Sequence, residues 1–253
     1  MIDSHVHLTD GRYEDVSAMI GRYREAGGEI LVDIGYDAAT SIKACQNSAI
    51  YEGVYFTCGF HPSEEAKEND LSVLRRLAGG EKCVAIGEIG LDYHYENIQP
   101  ERQRALFEEQ LFIAHEEKLP VVIHSRDASG DMLAVLRANK KLLTDGFLMH
   151  CYSESAEQAK NYLDLGAYFS FGGVITFKNA RKDEIVRSIP LDRLLAETDS
   201  PYLTPEPYRG RLNEPAFVRY VYEKLSAITG ESYEKLEEIT RANVRRLFKK
   251  ISL

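Results

Sequence analysis

Cysteine is scarce in this sequence, long apolar runs are absent, and basic residues do not predominate. The four cysteines are widely spaced and form no Cys-x-x-Cys pair, which indicates buried, reduced thiols and a cytoplasmic protein. No run approaches the roughly 18 apolar residues needed to cross a bilayer, and the first residues do not have the pattern of a secretory leader. We therefore expect neither secretion nor membrane insertion.

Acidic residues outnumber basic ones, 40 to 31, so the formal net charge is -9. This balance argues against a broad basic surface that would hold long nucleic acid through many phosphate contacts. A nucleic-acid substrate would have to be held locally, for example by its end. No feature indicates an obligate protein partner, and we expect a monomer.

A Pro/Gly/Ser-rich linker and an abrupt change of composition are also missing from the 253 residues. We therefore expect one domain that spans residues 1–253. Apolar runs alternate with helical segments, and the runs lie near 1–5, 30–34, 54–58, 84–87, 120–124, 146–150, 167–171 and 193–197. A helix follows each run, and one extra helix is predicted near 232–250. Eight such units predict an α/β fold, a (β/α)8 TIM barrel. A doubly wound open sheet is the weaker alternative, because no Gly-x-Gly-x-x-Gly follows the first strand.

Potential metal ligands stand at or just after the ends of five of these runs. They are His5 and His7, Glu88, His124, His150 and Asp199. The carboxyl ends of parallel barrel strands converge on one mouth, so these residues should meet in one site. His5 and His7 are two residues apart in an extended segment and can therefore reach the same ion.

Six ligands are too many for one catalytic zinc ion, which takes about three protein ligands. Two ions are more economical, with His5, His7 and Asp199 on the first and His124 and His150 on the second. The Glu88 carboxylate would bridge them, and a water held between the ions would supply the nucleophile. Glu88 and Asp199 are thus the predicted catalytic residues, with Asp199 accepting and returning the proton.

Five further residues near the same mouth are candidates for substrate binding. Arg126 and Arg209 could hold an anionic group, and His61 could donate a hydrogen bond to one of its oxygens. Each could equally serve as a salt bridge or a cap. Asp92 and Tyr93 follow Glu88 closely and could orient a ligand or contact substrate.

Several motifs, taken together, resemble the TatD family of metal-dependent hydrolases. They match in order from residue 3 to about residue 215: His5-Val6-His7-Leu8, Gly59-Phe60-His61-Pro62, Gly87-Glu88-Ile89-Gly90-Leu91-Asp92-Tyr93, Val122-Ile123-His124-Ser125-Arg126-Asp127-Ala128, His150-Cys151-Tyr152-Ser153, Glu197-Thr198-Asp199-Ser200-Pro201-Tyr202-Leu203, and Arg209-Gly210 with Asn213 and Pro215. The resemblance implies an amidohydrolase-like TIM barrel and the same two-metal assignment, with Glu88 shared. It also implies a magnesium-dependent deoxyribonuclease that removes nucleotides from the 3′ end of DNA.

Three functions remain open on the sequence alone. The first is hydrolysis of DNA ends or of another phosphodiester, which suits a two-metal site. The second is hydrolysis of an amide or ester, such as a D-aminoacyl-tRNA or a small molecule. The third is a non-catalytic, metal-stabilised scaffold. Family resemblance indicates Mg²⁺, whereas four imidazoles suit Zn²⁺, Mn²⁺, Ni²⁺ or Fe²⁺ better.

Overall fold

Eight parallel strands form a nearly closed barrel in the computed structural model, which describes residues 1–66 and 70–252. Each strand pairs with the next along the chain: β1 Ile2–Val6, β2 Ile30–Ile34, β3 Val54–Cys58, β4 Cys83–Asp92, β5 Val121–Arg126, β6 Phe147–Met149, β7 Ala167–Phe171 and β8 Leu194–Ala196. The first and last strands meet just past their ends, where His7 N donates to the Ser200 carbonyl at 2.9 Å and Asp199 N donates to the His5 carbonyl at 3.0 Å. The predicted (β/α)8 barrel is confirmed.

Helices surround the barrel and connect the strands. They are α1 Val16–Glu25, α2 Ala38–Ile50, α3 Asp70–Ala78, α4 Pro100–Glu117, α5 Ser129–Ala138, α6 Ala156–Leu163, α7 Asp183–Ser188, α8 Val218–Thr229 and α9 Tyr233–Leu247. A short 3-10 helix, Gly173–Thr176, follows β7. Within 1–66 and 70–252, no helix is both long and apolar enough to cross a membrane.

Two apolar clusters fill the fold, one on each side of the strands. Along β2, Ile30 and Val32 belong to the inner cluster and Leu31 to the outer one, because successive side chains of a strand point to opposite faces. The outer cluster packs against the helices. The inner cluster also contains Val244 of α9 and Phe248 just after it, which close the barrel at the end opposite the predicted ligands.

The strand β4 is the main departure from the predicted boundaries, since it runs to Asp92 instead of stopping at residue 87. After an irregularity in register, it resumes pairing with β5 through Ile89 with Ile123 and Gly90 with His124. The extension places Glu88 inside a strand and brings Asp92 beside β5. The backbone on both sides of Glu88 is therefore fixed by neighbouring strands.

Gly90 is required where β4 passes β5. Its φ is +141°, and a Cβ atom on it would lie 2.0 Å from the His124 carbonyl oxygen. We expect Gly90→Ala to lower the free energy of unfolding by about 2–4 kcal/mol, measured by urea denaturation. Gly21→Ala is the matched control, because Gly21 lies within α1 and no atom lies within 4 Å of a Cβ added there. This substitution should stabilise the protein by about 0.5–1 kcal/mol. Equal effects of the two substitutions would contradict this explanation.

Candidate metal centre

The six predicted ligands lie together at the mouth of the barrel, on five strands, three of them inside a strand and three of them one to three residues beyond the end of one. His5, Glu88 and His124 are inside strands, whereas the other three follow β1, β6 and β8. Four of the six, His5, His7, Glu88 and His150, are at most 8% exposed. The convergence of parallel strand ends therefore gathers groups that are almost 200 residues apart in the sequence.

The two carboxylate oxygens of Glu88 face two different pairs of imidazoles. Its Oε1 lies 2.8 Å from His124 Nδ1 and 2.7 Å from His150 Nε2. Its Oε2 lies 3.5 Å from His5 Nε2 and 3.9 Å from His7 Nε2. Glu88 thus stands between two groups of possible ligands, with one oxygen directed at each.

The first of these groups is completed by Asp199. Its Oδ1 lies 3.3 Å from His7 Nε2 and 3.7 Å from His5 Nε2. Nitrogen and oxygen atoms bound to one tetrahedral ion at 2.0–2.1 Å would be roughly 3.3 Å apart. The spacing of His5, His7 and Asp199 therefore suits a metal ion.

The buried imidazoles also fit a metal because some of their nitrogens lack a hydrogen-bond partner. Both ring nitrogens of His5 are buried without one, a costly arrangement for polar atoms unless a ligand binds them. Among the described residues, three groups could hold an ion: His5, His7 and Asp199; His5, Glu88 and His150; and His61, Asp92 and His124.

The charges at the centre support the same interpretation. Burial by itself would raise the pKa of the Glu88 carboxyl, but His150, His124 and His5 hold it well below its usual value. For the His150 imidazole the effect of burial is the opposite, since burial by itself would lower its pKa. Glu88 and Glu197 nevertheless raise that pKa well above its usual value. The buried carboxylates therefore favour positive charge beside them, and a cation would supply it.

Two further carboxylates lie behind the imidazoles that face Glu88 Oε1. Asp92 Oδ2 is 3.1 Å from His124 Nε2, and Glu197 Oε1 is 3.5 Å from His150 Nδ1. Glu197 is fully buried and its other oxygen accepts a hydrogen bond from Ser170 Oγ. A carboxylate on the second nitrogen of a metal-binding histidine fixes its orientation and raises its basicity. Asp92 is at hydrogen-bond distance from His124, whereas His150 Nδ1 and Glu197 Oε1 face each other without a hydrogen bond. Asp92 was a predicted candidate, whereas Glu197 was not predicted.

Removing the charge of Glu197 should therefore weaken metal binding. We expect Glu197→Gln to lower the affinity for the ion that His150 would hold by about 10–100-fold, measured by competition with a chromophoric chelator. Glu157→Gln, on the exposed first turn of α6, is the control and should bind metal like the unaltered protein. Unchanged affinity in Glu197→Gln would contradict the orienting role.

His61 is placed to donate a hydrogen bond into the site. Its Nδ1 accepts from the backbone N–H of Ser63 at 3.1 Å, so the ring proton is on Nε2, which lies 3.9 Å from Glu88 Oε1. Burial lowers the pKa of His61 to about 4, which keeps the ring neutral at pH 7. The side chain is thus a neutral donor aimed at the space next to Glu88.

Of the other residues predicted to contact substrate, Arg126 lies at the mouth, whereas Tyr93 and Arg209 lie outside the cavities there. The Arg126 guanidinium carbon lies 5.6 Å from the centre of the Tyr95 ring. Tyr93 instead donates its hydroxyl hydrogen to Asp131 at 2.9 Å. Arg209 stacks on the Phe177 ring at 4.0 Å. Neither Tyr93 nor Arg209 lines the two cavities that open on the ligands.

These two cavities lie on either side of the ligand cluster and share part of its lining. One, of about 370 Å³, has an apolar wall formed by Phe171, Val174, Ile175 and Leu203, and we call it the apolar cavity. The other, of about 340 Å³, is lined by Tyr36, His61, Ser63, Tyr95 and others, and we call it the polar cavity. The residues common to both are His124, Arg126, His150, Asp199 and Tyr202.

Comparison with known proteins decides the family. The family model described as TatD related DNase matches residues 2–249. The chain belongs to the TatD family of metal-dependent hydrolases. It is 40% identical over 253 residues to YabD of Bacillus subtilis strain 168, an uncharacterized metal-dependent hydrolase, with 98% of this chain and 99% of the relative covered.

Another TatD-family relative carries a more specific name. The chain is 36% identical over 259 residues to a protein of Cronobacter sakazakii named 3′-5′ ssDNA/RNA exonuclease TatD, covering 99% of this chain and 98% of the relative. The solved structure of the TatD homologue YJJV from Escherichia coli K12 superposes with a TM-score of 0.93 at 29% identity, covering 98% of each chain. An amidohydrolase from Saccharomyces cerevisiae shares the fold, with a TM-score of 0.80 at 19% identity. This TatD-family chain is thus a metal-dependent hydrolase with an amidohydrolase-like barrel.

Proposed function

We propose that this protein hydrolyses phosphodiester bonds at the ends of DNA with two divalent cations. The observation that carries the proposal is the position of Glu88, whose two oxygens face separate imidazole pairs. His5, His7 and Asp199 would hold one cation, His124 and His150 the other, and Glu88 both. Cations held by these residues would lower the pKa of water and would stabilise the attacking and leaving oxygens of an in-line displacement.

The protein's own side chains supply the remaining steps. Asp199 accepts the proton of the attacking water at Oδ2, the oxygen that does not face His7, and returns it to the leaving oxygen. His61 donates its Nε2 hydrogen to a non-bridging oxygen of the phosphate, because that nitrogen carries the proton and faces the site. Arg126 neutralises a neighbouring phosphate charge from the mouth.

Aromatic side chains at the mouth favour a single-stranded nucleic acid as the substrate. Tyr95 is 59% exposed and Tyr202 is 47% exposed, so both rings are accessible to bases. Arg126 lies over the first ring, and Arg12 lies over the second at 4.4 Å. Exposed rings beside arginines are the kind of surface on which successive bases stack. The relative named as an exonuclease of single-stranded DNA and RNA agrees with this choice.

The metal is proposed from the chemistry of the ligands. Four imidazoles favour Mn²⁺, Zn²⁺, Ni²⁺ or Fe²⁺, since Mg²⁺ prefers oxygen ligands and keeps its waters. Family resemblance favours Mg²⁺, so both classes of ion belong in the test. The protein should be loaded with each ion separately after treatment with a chelator.

The proposal is tested with 5′-labelled single-stranded DNA, incubated with protein loaded with each ion. We expect progressive shortening from the 3′ end and release of mononucleotides. RNA, aminoacyl-tRNA and cyclic amides serve as alternative substrates in the same series. Faster hydrolysis of an aminoacyl ester or an amide, with no shortening of DNA under any ion, would contradict the proposed function and favour the amide or ester hydrolase.

A further inference from the structure

The two cavities are arranged so that a substrate centred on the ligand cluster must be divided between them. Both are lined by His124, His150 and Asp199, and Tyr202 stands at their common boundary. A bond cleaved at the ligands would therefore have one product group in the apolar cavity and the other in the polar cavity. The two cavities differ in chemistry, so the two groups should differ as well.

Part of the wall of the apolar cavity is formed by buried residues. Phe171 and Ile175 in its wall are 1% and 3% exposed. Behind them, the backbone of Gly173 passes so close to Leu203 that an added Cβ would lie 2.0 Å from the Leu203 carbonyl oxygen. This contact joins the segments after β7 and β8. A wall of this kind suits a single terminal group of a polymer better than a continuous strand.

The rim of the apolar cavity carries two cations without a carboxylate partner. Among residues 1–66 and 70–252, no carboxylate lies within 4.0 Å of the charged nitrogens of Arg126 or Lys182. Lys182 Nζ donates to the Ser153 carbonyl at 2.5 Å, so it is held at the rim by a neutral group. Unpaired cations beside an apolar wall suit a ligand with an apolar body and an attached anion.

We infer that the apolar cavity binds the base of the chain-terminal nucleotide, with Val174 against the base and Lys182 facing the sugar-phosphate at the rim. The inference rests on the proposed function and specifies which part of the substrate confers preference for an end. A cavity of about 370 Å³ lies within the range of small-molecule sites, about 300–1,000 Å³. The rest of the strand occupies the polar cavity, where Tyr95 is exposed.

The test fills the cavity and removes the base in separate experiments. Val174→Trp places a large ring where the base would lie, and an oligonucleotide whose 3′-terminal residue is abasic lacks the group itself. Ile50→Trp is the matched control, because Ile50 is 70% exposed at the C-terminal end of α2, on the opposite side of the barrel from the ligands. Thermal unfolding and metal content should agree between the two variants.

The unaltered protein loaded with Mn²⁺ should prefer an end that carries adenine over an abasic end by about tenfold in kcat/KM. Val174→Trp should lower kcat/KM for the adenine end by a larger factor than for the abasic end, so that the preference between the two ends is lost. Calorimetric titration should show the same pattern. Deoxyadenosine monophosphate should bind more tightly than deoxyribose 5-phosphate to the unaltered protein, and the two should bind equally to Val174→Trp. Val174→Ala, which removes two methyl groups, should reduce the preference and replaces the tryptophan variant if that one fails to fold.

Equal rates on the two ends with the unaltered protein would overturn this inference and leave the proposed function standing. A loss in Val174→Trp by the same factor on both ends would also overturn it, since the cavity would then hold something other than the base. If the unaltered protein shortens neither oligonucleotide but hydrolyses an aminoacyl ester, both the inference and the proposed function are wrong.

Discussion

Glu88→Gln should reduce hydrolysis by roughly a thousandfold and reduce the number of bound ions from two to one. Glutamine keeps the shape of the side chain, but one of its two terminal atoms becomes an amide nitrogen that cannot bind a cation. Because Oε1 and Oε2 face separate imidazole pairs, either orientation of the amide deprives one group of its carboxylate. A loss of about 4 kcal/mol of transition-state stabilisation corresponds to this rate effect.

The measurement combines elemental analysis of dialysed protein with initial rates on single-stranded DNA. Glu116→Gln is the matched control, since Glu116 pairs with Arg75 on the outer surface and its side chain is 41% exposed. Its rate should stay within about twofold of the unaltered protein, because surface ion pairs contribute little. Two tightly bound ions and ordinary rates in Glu88→Gln would show that Glu88 does not bridge them.

Asp199→Asn should lower kcat by about 10²–10⁴-fold, the usual contribution of a positioned acid or base. Asp199 Oδ1 faces His7, while Oδ2 is assigned to the proton of the attacking water. The side chain is 13% exposed, so substrate and water reach it from the mouth. The amide oxygen can still face His7 and bind a cation, but an amide cannot accept the proton.

Metal concentration separates the two roles of Asp199. Raising the concentration of Mn²⁺ should restore occupancy in Asp199→Asn without restoring turnover. Asp145→Asn is the control, because Asp145 pairs with Lys249 at 2.8 Å in the loop before β6, away from the ligands. Recovery of kcat at saturating Mn²⁺ would mean that Asp199 serves only as a ligand.

The sequence predicted the position of the site because parallel strands leave little choice. Ligands at the ends of strands such as β4 and β5 must meet at one mouth once the strands are recognised as neighbours. The runs around His124 and His150 are apolar and brief, so their length favours strands over helices. The i, i+2 spacing of His5 and His7 also survives in the structure, where both Nε2 atoms face Glu88 Oε2.

The residues behind the ligands were harder to predict, because their roles depend on contacts between distant strands. Glu197 touches His150 and Ser170 from other strands, and an acid after a buried strand can face inward or outward. One signal was available: Glu197 and Asp199 are two residues apart, the same spacing that identified His5 and His7. The cavities could not be predicted, since the apolar one depends on the contact between Gly173 and Leu203.

The bridging role of Glu88 is tested most directly by a crystal structure of the Mn²⁺-loaded protein with anomalous scattering data. We predict two anomalous peaks about 3.5–4 Å apart, one next to Glu88 Oε2 with His5, His7 and Asp199, and one next to Oε1 with His124 and His150. A single peak at full occupancy, or two peaks of which only one contacts Glu88, would contradict the account.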